Sequence, residues 1–211
     1  MSWAKRSATN IFPLSENKND LKMALNEWLY EGDMYDLEEP IETCELCGYQ
    51  DIRYQFKIIN KNNSNEMLVG SECINKFQIS ATDNEGNILD TEESARKVNR
   101  DRRYLIEEAR KKRLIITLVK LQQKDKDFDI ESFVTYEQDR EAFTPNQLSL
   151  LLWRFGKYRI EYRPTDFKVI MKRNREKDQL IDMDDWKIEK LWKSLSSNQK
   201  QWVYENTNYE Q

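Results

Sequence analysis

The chain contains no histidine. That absence removes imidazole acid–base catalysis, Ser-His-Asp triads and HExxH metal sites. Its five glycines, Gly32, Gly48, Gly70, Gly86 and Gly156, never cluster. A phosphate-cradling P-loop and a dinucleotide fingerprint both need clustered glycines, so both are excluded. No apolar run approaches the roughly 18 residues of a membrane span. The first ten residues lack the apolar centre of a signal peptide. Cysteine is scarce and odd in number, at three, which suits metal binding or free thiols in a reducing compartment better than a disulfide framework. These gaps together point to a cytoplasmic protein with no membrane partner. They also remove most common enzyme chemistries.

What is present is polar but foldable. Of 211 residues, 38% are hydrophobic and 34% charged, and six Trp, ten Tyr and eight Phe can fill modest cores. The net charge of −4 argues against a generally basic nucleic-acid coat but not against a local basic face.

All three cysteines fall between Cys44 and Phe77. Cys44 and Cys47 form a CxxC pair, whose two-residue gap lets both thiolates face one tetrahedral ion. Arg53 to Ile59 alternates in polarity, Asn60 to Asn65 is a polar turn, and Glu66 to Val69 returns. Cys73 follows in a short helix that Ser71 caps. Knuckle, hairpin and ligand-bearing helix is the order of a treble-clef zinc finger, so Zn²⁺ is the expected cofactor. A regular finger would place its fourth ligand one turn after Cys73, where Lys76 stands. Glu45, Asp51 and Glu72 are oxygen-bearing alternatives, and Glu72, beside Cys73, joins the three cysteines as the candidate metal set. Two other readings remain: a finger that has lost its metal to hydrophobic packing, and a catalytic ion. The second lacks the glutamate that a zinc deaminase places ahead of its Pro-Cys-x-x-Cys.

Elsewhere the pattern alternates between helices and short strands. A helix is expected over Leu21 to Glu31, with Gly32 as its stop. Thr91 to about Lys124 carries the longest helical stripe. A short helix at 130–138 follows, and Thr144-Pro-Asn-Gln147 opens another that Gly156 ends. Lys157 to Tyr162 and Phe167 to Lys172 read as a hairpin around Arg163–Asp166. Two helices, about Asp184 to Leu195 and from Ser196 or Ser197 onward, finish the chain. The expected class is α+β: a treble-clef-like module within 1–90, a basic helical connector over 91–140, and a helix–hairpin–helix module over 141–211.

Charge is segregated along the chain. Glu16 to Glu45 holds ten acids against Lys18 and Lys22, and Ser94 to Lys124 holds eleven Lys/Arg against three acids. Either the two blocks offset each other within the molecule, or each meets solvent or a partner. For nucleic acid, the candidate contacts are Arg96, Lys97, Arg100, Arg103, Arg110, Lys111 and Arg113, with Tyr104 as a stacking group. Lys168, Lys172 and Arg173 extend this set onto the expected hairpin. Glu161 with Asp166-Phe-Lys168 is loosely the acid, acid-x-Lys set of Mg²⁺-dependent nucleases, though its spacing is irregular.

Several segments carry a resemblance: Ala24-Leu-Asn-Glu-Trp28, Cys44-Glu-Leu-Cys-Gly48, Ile52-Arg-Tyr54 and Val69-Gly-Ser-Glu-Cys-Ile-Asn-Lys-Phe77. Phe143-Thr-Pro-Asn-Gln147, Trp153-Arg154, Phe167-Lys168 and Leu195-Ser-Ser-Asn-Gln-Lys200 add to it. The chain resembles a little-characterised bacterial family found in firmicute genomes, phages and other mobile elements. The resemblance implies a zinc-finger-like fold and a mobile-element setting, without a defined activity. The expectation is a non-enzymatic, nucleic-acid-associated accessory protein. The rival is a protein-interaction module that works through the acidic N-terminal face on a host protein or defence machine. A metal-dependent nuclease is the remote alternative.

Overall fold

The computed structural model describes residues 2–209 as a mixed α+β protein. The chain divides into two compact units between Ala109 and Arg110. That boundary lies inside the segment expected to act as a connector. Among the described residues, no helix is long and apolar enough to cross a membrane.

The first unit is built on a four-stranded sheet. β1 (Trp28–Asp36), β2 (Tyr54–Asn60), β3 (Glu66–Val69) and β4 (Ser80–Ala81) lie in the order β3-β2-β1-β4. β2 pairs antiparallel with both β1 and β3, whereas β4 runs parallel to β1. The β2–β3 hairpin is the one read from the alternation of Arg53 to Ile59. Helices α1 (Trp3–Ile11), α2 (Leu21–Leu25) and α3 (Ser71–Phe77) contribute Ile11, Leu25 and Ile74 to the core they share with the sheet. The core gathers Ile11, Trp28, Tyr30, Phe56, Ile58 and Val98.

The helix expected over Leu21 to Glu31 is cut short. Asp20 caps it, its carboxylate accepting from Met23 N–H, but it ends at Leu25. Trp28 to Asp36 is strand instead. Pairing with β2 satisfies the backbone of this segment and fully buries Trp28 and Tyr30, and such tertiary gains override weak helical preference. Gly32 is no helix stop. It sits at φ +124° where the β1–β2 register shifts between Tyr30 and Met34, and a Cβ there would stand 3.1 Å from the Lys97 ammonium. Gln78 to Asp90 also contributes β4 and the buried Ile79.

Helix α4 (Thr91–Lys124) has the expected bounds. In the second unit its Leu114, Leu118 and Leu121 pack into a core with Phe143, Leu151 and Phe155. That unit is otherwise helical: α5 (Glu131–Arg140), α6 (Pro145–Tyr158), α7 (Asn174–Ile181), α8 (Asp185–Leu191) and α9 (Ser197–Asn206). Thr144 and Gln147 form the capping box anticipated at the start of α6, and Ser196 and Gln199 form another at α9.

The expected C-terminal hairpin does not form. Lys157 and Tyr158 belong to α6, which passes through Gly156 and ends with Arg159 in the left-handed region. Pro164–Asp166 is a 3₁₀ turn, and Val169 bridges in parallel to Phe143. The alternation of 157–172 reflects tethering rather than pairing: Phe167 is fully buried against Phe143 and Phe155. Helix α7 escaped notice because its sequence, NREKDQLI, is mostly polar.

Candidate metal centre

Cys44, Cys47 and Cys73 converge as the CxxC spacing requires. The turn that carries the first pair closes through Gly48 N–H to Cys44 O at 2.8 Å and Cys44 N–H to Tyr49 O at 2.8 Å. Gly48 takes φ +70°, a left-handed conformation that costs other residues strain. The β2–β3 hairpin then returns the chain so that α3 presents Cys73 from the far side. Cys73 Sγ lies 3.1 Å from Cys47 Sγ and 3.5 Å from Cys44 Sγ. All three sulfurs fall within 4.8 Å of one another, and no other group of three potential metal ligands lies as close among the described residues.

The donor set fits a thiophilic ion. Metal–sulfur bonds of about 2.3 Å in a tetrahedron set sulfurs about 3.8 Å apart, so both contacts of Cys73 need open by less than about 1 Å. Its protonation is uneven. The neighbouring Cys73 holds the Cys44 thiol below its ordinary range, outweighing the upward push of burial. Cys73 itself is pushed up by that contact with Cys44 and by burial. An ion bound by all three sulfurs takes them as thiolates, so its uptake releases protons.

Among the described residues, no fourth metal-ligating side chain joins the cluster. Glu72 does not join it; its carboxylate turns away to Arg102 at 2.7 Å. Glu45 accepts from Leu68 N–H through its carboxylate, while its own N–H donates to Leu68 O at 3.0 Å. Asp51 is exposed at φ +60°. Lys76 places its ammonium 3.8 Å from the ring centre of Trp3, and that ring packs edge-on against Phe77.

A cavity of about 410 Å³ opens over the three cysteines, with Arg6, Arg53, Lys76 and Arg102 in its walls. Trp3, Tyr49, Tyr54 and Phe77 supply ring surface. Helix α1 forms part of the enclosure because Arg6 donates to Cys47 O at 2.8 Å and Asn10 to Leu46 O at 3.1 Å. Arg53 is held by Asp36 at 2.6 Å and lies 5.1 Å from the Tyr54 ring centre. Sequence reasoning missed Arg6, Tyr49, Arg53 and Arg102 as wall residues; for Arg6 nothing local marks a residue that meets a cysteine 41 positions away.

The basic helix is more committed than its charge suggests. Arg110 is buried, bonded to Glu137 at 2.7 Å and to the Asp166 carbonyl. Arg113 grips the buried Asp166 carboxylate at 2.7 and 2.8 Å. Lys97 is buried beside Asp101 at 3.3 Å, and Lys111 meets Glu141 at 3.6 Å. The surface positions are Arg96, Arg100, Arg103 and Tyr104, with Lys168, Lys172 and Arg173 exposed in the second unit. Arg96 pairs with Glu92, and Arg100 with Asp101. The acids of 16–45 turn elsewhere: Asp33 meets Lys57, Asp36 meets Arg53, and Glu27 is buried under Asn60 and the N–H groups of Glu16 and Asn17. Asp166, the acid of the nuclease-like grouping, is a structural anchor for Arg113.

Comparison with protein-family models, curated proteins and solved structures finds no match.

Proposed function

We infer that the chain is a non-enzymatic, nucleic-acid-associated accessory protein whose first unit is a treble-clef-like finger closed by Zn²⁺ on Cys44, Cys47 and Cys73. Soft thiolates select zinc among abundant ions, and a structural zinc supplies folding energy rather than reactivity. The observation that carries the reading is the join of cations and ring faces around the thiols. Single-stranded nucleic acid is held by that combination, cations for phosphates and aromatic faces for bases. Arg96, Arg100 and Arg103 on the exposed face of α4 add phosphate neutralisation to the same unit. Lys97, Arg110 and Arg113 leave the contact set, because their charges are spent inside. The resemblance of the cysteine motifs supports a bacterial or phage setting.

A salt titration tests the reading. Binding to single-stranded DNA, duplex DNA and RNA is measured by anisotropy as salt rises. Affinity falls steeply with salt, and Arg96→Gln, Arg100→Gln and Arg103→Gln together flatten the slope. Absence of binding at low salt with all three probes overturns it. The second reading, a protein-interaction module, draws on the exposed Glu31, Glu38, Glu39 and Glu42 along and after β1. It predicts that charge reversal there abolishes capture of a basic protein partner while nucleic-acid binding is unaffected.

A further inference from the structure

We propose that the fourth position on the metal is filled from the cavity by a phosphate oxygen of a nucleoside monophosphate, either free or as the 5′-phosphorylated end of a strand. The inference rests on the zinc reading above and deepens it.

Three features of the site converge on this ligand. The first is coordination: three sulfurs face one point, and the acids next to the cysteines in sequence are engaged elsewhere, Glu72 on Arg102, Glu45 on Leu68. A site with three protein ligands keeps a position for water or an incoming group. The same cysteines line the cavity, so that position is reached from it.

The second feature is charge. Four cationic side chains in the walls outnumber the single wall carboxylate, Glu72, by three. A divalent ion with three thiolates contributes one negative charge and Asp36 offsets Arg53, so the wall cations still favour an anion as ligand. Among phosphates, a monoester carries about −1.5 to −2 at neutral pH and is a more basic oxygen donor to a metal ion than the singly charged phosphodiester within a strand.

The third feature is shape. The volume lies in the range of small-ligand sites, about 300–1,000 Å³. Tyr49 is 67% exposed at its mouth and Trp3 is 42% exposed, giving ring surface on which a base can lie while its phosphate points inward. The site therefore reads the end of a strand or a free nucleotide, not its middle.

The experiment uses the full chain loaded with Co²⁺, whose d–d bands report the ligand set directly. Sulfur-to-cobalt charge transfer first establishes that the metal is bound by thiolate. Adenosine 5′-monophosphate, a 5′-phosphorylated single-stranded oligonucleotide, the same oligonucleotide with a 5′-hydroxyl, adenosine and inorganic phosphate are then titrated separately. The d–d bands shift with the first two and do not shift with the 5′-hydroxyl strand or adenosine. Tighter binding by the phosphorylated strand than by the free nucleotide identifies the strand end as the ligand, and the reverse order identifies the nucleotide. Tyr49→Ala weakens the nucleotide response about tenfold, the scale of one lost base stack, while the inorganic phosphate response is unchanged. Lys76→Cys, one helical turn after Cys73, supplies a fourth thiolate and abolishes every response. If charge transfer appears but no phosphate probe moves the d–d bands, the proposal is overturned and the zinc finger stands. If charge transfer never appears, both fall.

Discussion

Glu137→Gln in α5 tests whether the basic helix is spent on the fold or held for a partner. Arg110 has 6% of its side chain exposed and Glu137 has 3%, at a separation of 2.7 Å. Their link continues through the Asp166 carbonyl to the carboxylate that Arg113 holds in two bonds. Removing the carboxylate charge of Glu137 takes away the anion that the buried guanidinium holds at 2.7 Å, which costs about 3–5 kcal/mol. A unit of roughly 100 residues has about 5–15 kcal/mol of stability in total, so the loss is a large share of it. With a urea m-value of about 1.5 kcal/mol/M, the midpoint falls by about 2–3 M. Urea melts followed by hydrogen exchange of the amides beyond Arg110 locate the loss. The double replacement Arg110→Met with Glu137→Leu removes both charges and recovers most of that stability, because an apolar pair of similar volume needs no desolvation. That double variant also binds nucleic acid with an unchanged salt slope. A single variant within 1 kcal/mol of the parent, or a double as unstable as the single, refutes the buried-pair argument. A flattened salt slope in the double variant refutes the assignment of Arg110 to the interior.

Three further outcomes are expected. Burial raises the Glu27 carboxyl, but hydrogen bonds from Asn17, Asn60 and Glu16 outweigh it and hold the group below its ordinary value of 4.5. Its contribution is therefore complete above that value and is lost as pH falls through the lower folded value; acid melts of Glu27→Gln show a weaker pH dependence below pH 4.5 and about 1–3 kcal/mol less stability at neutral pH. Gly48→Ala forces a side chain into the left-handed region, costing about 1–2 kcal/mol and weakening zinc about 5- to 30-fold in a competitive chelator titration. Chelation by a strong zinc ligand lowers the melting temperature of the first unit, and restoring Zn²⁺ recovers it, whereas the second unit keeps its urea midpoint.

The parts of the fold legible in the sequence were those that local chemistry dictates. Thr144 and Ser196 announce helix starts because a cap acts within three residues. The β2–β3 hairpin shows in the alternation of Arg53 to Ile59, and the cysteine trio in its spacing. What stayed hidden depends on distant contacts. Trp28, Leu29 and Tyr30 fit a helical face as well as a strand, and only β2 decides between them. The stretch 157–172 alternates like a strand but is held by isolated anchors, chiefly Phe167. Charge runs misled most: Arg110 and Arg113 look like solvent-facing cations until Glu137 and Asp166, 27 and 53 positions away, come into view. The cavity over the cysteines was invisible for the same reason, since α1 contributes Trp3 and Arg6 from the far end of the unit.

The contact between Glu45 and Leu68 has a bearing on solubility. β3 is the outermost strand of its sheet, and an outer strand offers unpaired amides on which another chain can build. At Leu68 both outward groups are taken, N–H by the Glu45 carboxylate and C=O by the Glu45 amide. Glu45 lies between Cys44 and Cys47, so the turn that carries two of the proposed metal ligands is also the turn that covers the strand. If the proposed ion binds there, its loss would release a guard as well as a staple. The released strand, Glu66-Met-Leu-Val69, is short and mostly apolar, the kind of segment through which one molecule can pair with the next.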